Sequence, residues 1–465
     1  MKATLKTMRR YHLVGIGGVS MSAIALMLQN AGYEVTGSDR QDSEIIKILR
    51  KHDISVFIGH DAKNVEGADV VVYTAAIASD NVELVEARRR GISTVERPVL
   101  LGQLMADYEH KIAVAGAHGK TTTVAMTTAI LEQAGWHPTA LLGTDRDNLK
   151  LGEHRVIITE ACEAFGSFLF LKPSVTVVLN IDADHLDYYG TIDQIERAFQ
   201  QFMAQTEPGG YIIACADENR VQRVLQNLSQ SGAMEKVTTV SFGFSERADY
   251  RAVNIFHEGL RSRYTLLVRG EPVGDVKLGV PGDQNIMNSL AAIGVGLELG
   301  ISFETACRAL ENYRGAPRRF EVLYDGEVVV IDDYAHHPTE IEATIESARS
   351  SYGGRITAVF QPHLYSRTKF LLDEFARALS RADEVIVAPI YPAREEPIPG
   401  VSGASIVECI RRMGHTSASY ASDIDQLPNQ LAKGVKPGDV VLVMGAGDIR
   451  RVAEKLASML RGGSL

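Results

Sequence analysis

No stretch of this sequence holds the eighteen or so consecutive apolar residues that a membrane-spanning helix requires, so membrane insertion is not expected. Cysteine is scarce: Cys162, Cys215, Cys307 and Cys409 lie far apart with no C-x-x-C pair, so the cysteines suggest neither a zinc site nor a disulfide framework. Positive charge is in deficit, with 48 Lys and Arg against 58 Asp and Glu and a formal net charge of -10. A protein that wraps nucleic acid needs clustered Lys and Arg, so no nucleic-acid partner is expected. There is no low-complexity segment and no short-period repeat. The start, MKATLKTMRRYHLVGIGG, is basic but meets a glycine turn before any apolar core or small-residue cleavage site, unlike an export signal. Together these absences point to a reduced, cytoplasmic protein.

What is present is a long globular chain. Its 465 residues exceed one ordinary core and suggest about three domains, while 45% hydrophobic and 23% charged residues suit a globular fold. Three times a short apolar strand runs into a glycine turn, at HLVGIGG (12 to 18), IAVAGAHGK (112 to 120) and VVLVMGAGD (440 to 448). Parallel α/β sheets bind ligands at the carboxyl ends of their strands, so three α/β units are predicted, spanning 1–107, 108–319 and 320–465.

The second of these turns is the most specific. Ile112 to Ala115 read as a buried strand, Thr121 onward as a helix, and Gly116, Ala117, His118, Gly119 and Lys120 as the turn between them. Glycines let backbone N–H groups converge on phosphate oxygens, Lys120 can neutralise β and γ charge, and the Thr121 hydroxyl can ligate Mg²⁺ at the positive end of the helix. The spacing has two residues between the first glycine and the Gly-Lys pair, against four in the common phosphate loop. Carboxylates follow: Glu160 and Glu163 at one strand end, and Asp182, Asp184, His185 and Asp187 at another. Two parallel strands ending in one crevice would carry these groups to the face of Lys120 and Thr121, where one or two carboxylates beside phosphate oxygens suffice for Mg²⁺. Asn285 and Asn288, three apart on a helix from Asn285 to about Gly300, can reach one ligand.

In the first turn Gly15, Gly17 and Gly18 follow a strand, a helix starts near Ser20, and Asp39 ends the next strand where a ribose-binding acid would lie. Ser20 stands where the third glycine of a dinucleotide fingerprint would be. A dinucleotide and the diphosphate of a nucleotide sugar are bound by the same physics, backbone N–H groups plus a helix N-terminus, and a UDP-type ligand is the preferred reading.

In the third unit VVVIDDYAHHPTEIEA delivers Asp332, Asp333, Tyr334, His336 and His337 to a turn before a helix, with Pro338 in its first turn and Thr339 and Glu342 expected as its cap and partner. The strand ITAVF ends in Gln361, His363, Tyr365, Ser366, Arg367 and Thr368, and Arg367 offers the planar fork that holds a carboxylate. Arg318 and Arg319 precede this unit and could reach a nucleotide.

Taken together GIGGVSMSAIA, GAHGKTTT, EACE, NIDADHLDYYG, QNIMNSLAA, RGAPRRFEVL, DDYAHHPTEI, FQPHLYSRT and IYPAREEPIPGVSG, in this order over nearly the whole chain, resemble the Mur ligases. The resemblance implies a UDP-sugar domain, a central phosphate-loop ATPase domain and a C-terminal Rossmann-like domain. It implies ATP- and Mg²⁺-dependent joining of L-alanine to the carboxylate of UDP-N-acetylmuramate through an acyl phosphate, in a monomer or homodimer. By the same resemblance, Lys120 is a phosphate-binding lysine within an ATP loop of Gly116, Ala117, His118, Gly119, Thr121 and Thr122. Thr121 and Glu160 are Mg²⁺ ligands, with Glu163 as rival to Glu160, and His185 belongs to a second metal site. Asn285, Asn288, Arg319 and Asp333 are nucleotide-side residues; Gly15, Gly17, Gly18, Asp39 and Thr74 bind the UDP sugar; His336, His337 and Arg367 hold the amino acid. Ala117, Gln284, Ser20 and Leu364 depart from the family's usual threonine, histidine, glycine and arginine. No lysine occurs between Lys172 and Lys236 to serve as the carbamylated lysine of related ligases. Two other readings stand beside this one, an NAD-dependent oxidoreductase using the N-terminal turn and a nucleotide-binding regulator without turnover.

Overall fold

A computed structural model describes residues 10–144, 148–152, 155–232, 234–393 and 395–462, apart from the side chain of Asp187. The basic start and Arg394 of the IYPAREEPIPGVSG stretch lie outside them. The structure is an α/β fold with three sheets. Its contacts group into two compact units, one of residues Met1–Arg251, Leu267–Glu271 and Asn288–Ala309, the other of Ala252–Leu266, Pro272–Met287 and Leu310–Leu465.

The first unit contains the N-terminal sheet, whose five strands lie in the order Ser55–Ile58, Glu34–Asp39, Arg10–Val14, Val70–Tyr73 and Ser93–Glu96, all parallel. Strand order reverses beside Arg10–Val14, which is where an open parallel sheet leaves a crevice for a ligand. The helix after it, Val19–Asn30, starts without a side-chain cap on Gly18, so its first N–H groups are left for another acceptor.

The same unit holds a second, mostly parallel set of strands in the order Thr238–Gly243, Tyr211–Cys215, Val175–Val178, His110–Ala115, Val156–Glu160 and Thr139–Leu141. Leu149–Lys150 is antiparallel at one edge, and Tyr250 and Arg251 pair with Phe242 and Gly243 at the other. Val175–Val178 and Val156–Glu160 flank the His110–Ala115 strand, so both end beside the loop that follows Ala115. One core cluster reaches from Leu13, Ile24 and Leu101 to Ala113, Phe168, Phe202 and Ile212, so these two sheets share buried apolar surface. Burial of such area is what holds the pair together.

The second unit carries the C-terminal sheet. Its order is Glu321–Asp325, Val329–Asp333, Val440–Met444, Ile356–Phe360, Glu384–Val387 and Ala418–Tyr420, with the first pair antiparallel and the rest parallel. Val329, Val330 and Ile331 are buried on both faces, as central parallel strands must be. Among the described residues no helix is long and apolar enough to cross a membrane.

The cap at Pro338–Ser351 differs from the expectation. His337, not Thr339, occupies the cap position, and Glu340, not Glu342, reaches back, its Oε2 accepting from the N–H groups of His336 at 2.9 Å and His337 at 3.2 Å. Pro338 starts the helix at its first position, which shifts the cap one residue before it and leaves Thr339 inside the first turn.

Candidate active site

The phosphate loop is built by backbone geometry that only glycine takes without strain. Gly116 has φ +148° and Gly119 φ +85°, and a Cβ on Gly119 would lie 2.5 Å from Asn288 Oδ1. Helix Lys120–Gln133 begins on Gly119 with no side-chain cap, so its first N–H groups face the loop. The loop is braced by Asn180, whose Oδ1 accepts from His118 N at 2.9 Å and whose Nδ2 donates to His118 O at 3.1 Å. Sequence reading passed over Asn180; its signal was an amide directly after the apolar VTVVL strand.

Two acid pairs sit at the mouth of this loop. Lys120 Nζ donates to Ala117 O at 3.1 Å, to Gly116 O, and to Glu163 Oε2 at 3.1 Å. Burial alone would lower the Lys120 pKa, but the charges around it, Glu163 first, raise it above the usual lysine range, so the side chain stays a cation. Thr121 Oγ1 donates to Glu160 Oε1 at 2.7 Å, and that oxygen also accepts from Gly143 N at 2.6 Å. The two glutamates that the sequence offered as rivals are therefore divided: Glu163, 3% exposed, neutralises the lysine, while Glu160 stands with the threonine hydroxyl. Hydroxyl and carboxylate oxygens form a hard donor set suited to Mg²⁺.

His118 Nε2 lies 3.5 Å from Asp182 Oδ2, and Thr123 Oγ1 donates to Asn288 Oδ1 at 3.2 Å, so Asn288 is drawn to the loop. Thr122 is buried in the first turn of the loop helix. His185 is the residue the structure does not bring to this group. It precedes the short helix Leu186–Tyr189 with φ 55°, its Nε2 is 3.8 Å from Asp184 Oδ2, and among the described residues no hydrogen bond joins it to Thr121 or Glu160.

At the N-terminal turn Ser38 O accepts from Gly15 N at 2.8 Å and Ile16 N at 3.0 Å, while Asp39 Oδ2 accepts from Gly17 N at 3.0 Å. Gly18 N donates to Gly15 O at 3.1 Å and closes the turn. Thr74 follows the neighbouring strand Val70–Tyr73, and its Oγ1 and O accept from Ala76 N and Ile77 N, which sets Ile77 against Gly15. Thr74 and the glycine turn thus lie at adjacent strand ends.

In the second unit Asp333 ends its strand buried, accepting from Phe320 N and Ala335 N at 2.7 Å each; burial outweighs these bonds and the Arg319 charge and pushes its pKa up to about 6. The Arg319 guanidinium lies 5.1 Å over the Tyr334 ring and 3.8 Å from Glu340 Oε1. His336 Nδ1 is 3.0 Å from Tyr334 O, and its ring meets that of His363 edge-on at 6.0 Å. His363 in turn stacks on Tyr391 at 5.8 Å and lies 3.5 Å from Arg367 Nη1. His336, His363, Tyr391 and Arg367 form one group beyond the ends of strands Val329–Asp333, Ile356–Phe360 and Glu384–Val387, and sequence reading did not place Tyr391 in it. Leu364 takes φ +70° in the turn before Arg367. His337 is buried, and Asn285 Nδ2 donates to Pro281 O at 2.7 Å.

Family models described as Mur ligase family, catalytic domain; Mur ligase middle domain; and Mur ligase, glutamate ligase domain match residues 10–109, 114–296 and 318–447. The chain is 41% identical over 462 residues to the UDP-N-acetylmuramate--L-alanine ligase of Caldanaerobacter subterraneus subsp. tengcongensis, covering 98% of each. It is 42% identical over 453 residues to the ligase of the same name from Acetivibrio thermocellus, covering 96% of this chain and 95% of that one. A solved structure, the UDP-N-acetylmuramate-alanine ligase of Thermotoga maritima, matches with a TM-score of 0.82 at 29% identity, over 98% of this chain and 100% of that one.

Proposed function

We infer that this chain, which belongs to the Mur ligase family, is an ATP-dependent ligase joining L-alanine to the carboxylate of UDP-N-acetylmuramate, the first amino-acid addition in cytoplasmic peptidoglycan precursor synthesis. The observation that carries the chemistry is the division of acids at the loop: Lys120 neutralised by Glu163, and Thr121 bonded to Glu160. In the reaction the muramoyl carboxylate oxygen attacks the γ-phosphorus of ATP and ADP leaves. The amine of L-alanine then attacks the acyl carbon of the acyl phosphate, inorganic phosphate departs, and the amine loses a proton. Phosphoryl transfer of this kind rests on positioning and charge neutralisation rather than on a protein nucleophile.

Under this reading Gly116, Ala117, Gly119 and Thr122 present backbone N–H groups to phosphate oxygens, His118 belongs to the same ATP loop with its own N–H held by Asn180, and Lys120 neutralises the γ-phosphate. Thr121 and Glu160 would hold Mg²⁺, which when bound offsets triphosphate charge, and His185 belongs to a second metal position. Asn285, Asn288, Arg319 and Asp333 serve the nucleoside side of ATP. Gly15, Gly17, Gly18, Asp39 and Thr74 hold the UDP moiety, and His336, His337 and Arg367 hold L-alanine. The three functional domains are 1–107, 108–319 and 320–465.

The test is phosphate release with ATP, Mg²⁺ and UDP-N-acetylmuramate across L-alanine, glycine and L-serine. Release dependent on L-alanine is expected; silence with all three amino acids would remove the ligase reading and leave the nucleotide-binding regulator. An oxidoreductase would instead change nicotinamide absorbance and tolerate Lys120→Ala.

A further inference from the structure

A buried polar cluster meets the N-terminal glycine turn through Ser38. Its centre is Glu83, in the first turn of helix Val82–Arg89 and with 0% relative exposure. A buried carboxylate is costly unless several donors meet it, and here they do. Ser38 Oγ donates to Glu83 Oε2 at 2.6 Å, Asn64 Nδ2 to Oε1 at 2.6 Å, and His60 Nδ1 lies 2.9 Å from Oε2. His12, also fully buried, has Nε2 at 3.8 Å from Oε1, and its Nδ1 is 2.9 Å from Thr36 Oγ1. Burial pushes Glu83 up, but the nearby His12 ring and the bonds from Ser38, Asn64 and His60 outweigh it and bring its pKa down to about 2. The carboxylate is therefore an anion throughout the neutral range.

The donors are not scattered. Ser38 and Asp39 are consecutive residues at the end of one strand, and between them they hold the glycine turn through Gly15 N, Ile16 N and Gly17 N. Asp39 O accepts from Gly59 N at 2.8 Å, and Asn64 Nδ2 also donates to Gly59 O at 3.3 Å, so the next strand end is tied into the same cluster. Glu83 thus grips the side chain of the residue whose carbonyl fixes two of the turn's N–H groups. An apolar residue of similar size could fill the core there but could not orient the Ser38 hydroxyl, the Asn64 amide and the His60 ring at once.

We propose that Glu83 is a positioning residue for the nucleotide-sugar site: through Ser38 it fixes the register of Gly15 to Gly17, and so the aim of the uncapped N–H groups at the start of helix Val19–Asn30 that receive the diphosphate. The proposal rests on the UDP-sugar reading of that turn. It assigns Glu83 no contact with substrate; its effect passes entirely through Ser38 and the Asn64–Gly59 link. The consequence is selective. Disturbing Glu83 loosens the UDP-sugar site, while the phosphate loop around Lys120, braced independently by Asn180, keeps its geometry.

The experiment compares Glu83→Gln and Ser38→Ala with the unaltered protein by steady-state phosphate release, varying UDP-N-acetylmuramate, ATP and L-alanine in turn, and by direct titration of UDP into each protein. Glu83→Gln keeps the shape but replaces an acceptor oxygen with a donor, and removing a charged hydrogen bond of this kind corresponds to about a tenfold change. Its KM for UDP-N-acetylmuramate and its Kd for UDP are expected to rise about tenfold. KM for ATP and L-alanine, and kcat at saturation, should stay within about twofold. Ser38→Ala, which leaves the Ser38 carbonyl in place and folds with one hydroxyl fewer, should shift the same two constants about threefold, in the same selective pattern. Equal shifts in all three KM values, or a lowered melting temperature with UDP affinity unchanged, would overturn the proposal. If the unaltered protein releases no phosphate, the ligase reading fails on its own, and the UDP titrations still decide the role of Glu83.

Discussion

Two buried carboxylates in this chain behave oppositely, and the difference lies in how many donors meet each. Glu83 is surrounded by side-chain donors and is held down at about 2, whereas Asp333 has two backbone donors and a nearby Arg319 charge, and burial wins, lifting it to about 6. For Asp333 the folded-state value lies above the ordinary 3.8, so the native state binds the extra proton between those values. Stability attributable to this group is therefore greatest below pH 3.8 and falls as pH rises to about 6, after which it is constant at the lower level. The full span corresponds to roughly 3 kcal/mol at most. Asp333→Asn removes the titration. The difference in melting temperature between the native protein and this variant should move in favour of the variant as pH is raised from about 4 to about 7, and a pH-independent difference would contradict the assignment.

At the scale of elements, the proposed nucleotide site turns on the loop-to-helix junction. Gly119 sits at φ +85° as the residue preceding helix Lys120–Gln133, a conformation that costs an alanine about 1 kcal/mol or more. An added Cβ would also press on Asn288 Oδ1 at 2.5 Å and Leu179 Cδ1 at 3.1 Å. Gly119→Ala is expected to lower the melting temperature by several degrees and to raise KM for ATP about tenfold with KM for UDP-N-acetylmuramate unchanged; equal effects on both substrates would show that the junction is structural only. This junction was legible in the sequence because glycine, lysine and threonine each have a backbone or charge reason to stand there. The parallel strands were legible too, since IAVA and VVLVM are apolar throughout and HLV and VTVV carry one polar residue each, close to what strands buried on both faces require. Strands with one wet face were not. In Arg261–Val268 the buried set Ser262, Tyr264 and Leu266 alternates with exposed Arg261 and Arg263, and a polar Ser262 breaks the apolar signal although it is 2% exposed. The helix cap at His337 was missed for a related reason: histidine is an unusual cap, and the Thr339 to Glu342 spacing imitates the usual one.

For the whole molecule, the information that sequence cannot carry is which distant residues share a site. Ser38 and Glu83 are 45 positions apart and Asn288 lies 165 from Thr123, yet each pair is hydrogen bonded, and no local pattern foretells either. What spacing does foretell is the two glycine turns themselves; the structure sets them on separate sheets of one compact unit with separate supports, Ser38 and Asp39 for one and Asn180 for the other, and under the proposed function they are two ligand sites. A ligand that binds only the folded state stabilises it by about 2.7 kcal/mol at a hundred times its Kd. UDP-N-acetylmuramate and ATP should therefore each raise the melting temperature by several degrees, and each shift should be removable alone. Lys120→Ala takes away the cation proposed to face the triphosphate, so it should abolish the ATP shift and preserve the UDP-sugar shift. Gly17→Ala does the reverse, because its Cβ would stand 2.9 Å from Asp39 Oδ2 and 3.3 Å from Ile46 Cδ1, displacing the carboxylate that holds the turn. Loss of both shifts in either variant would mean that the two turns form a single site, and the assignment of one to the sugar nucleotide and the other to ATP would fall with it.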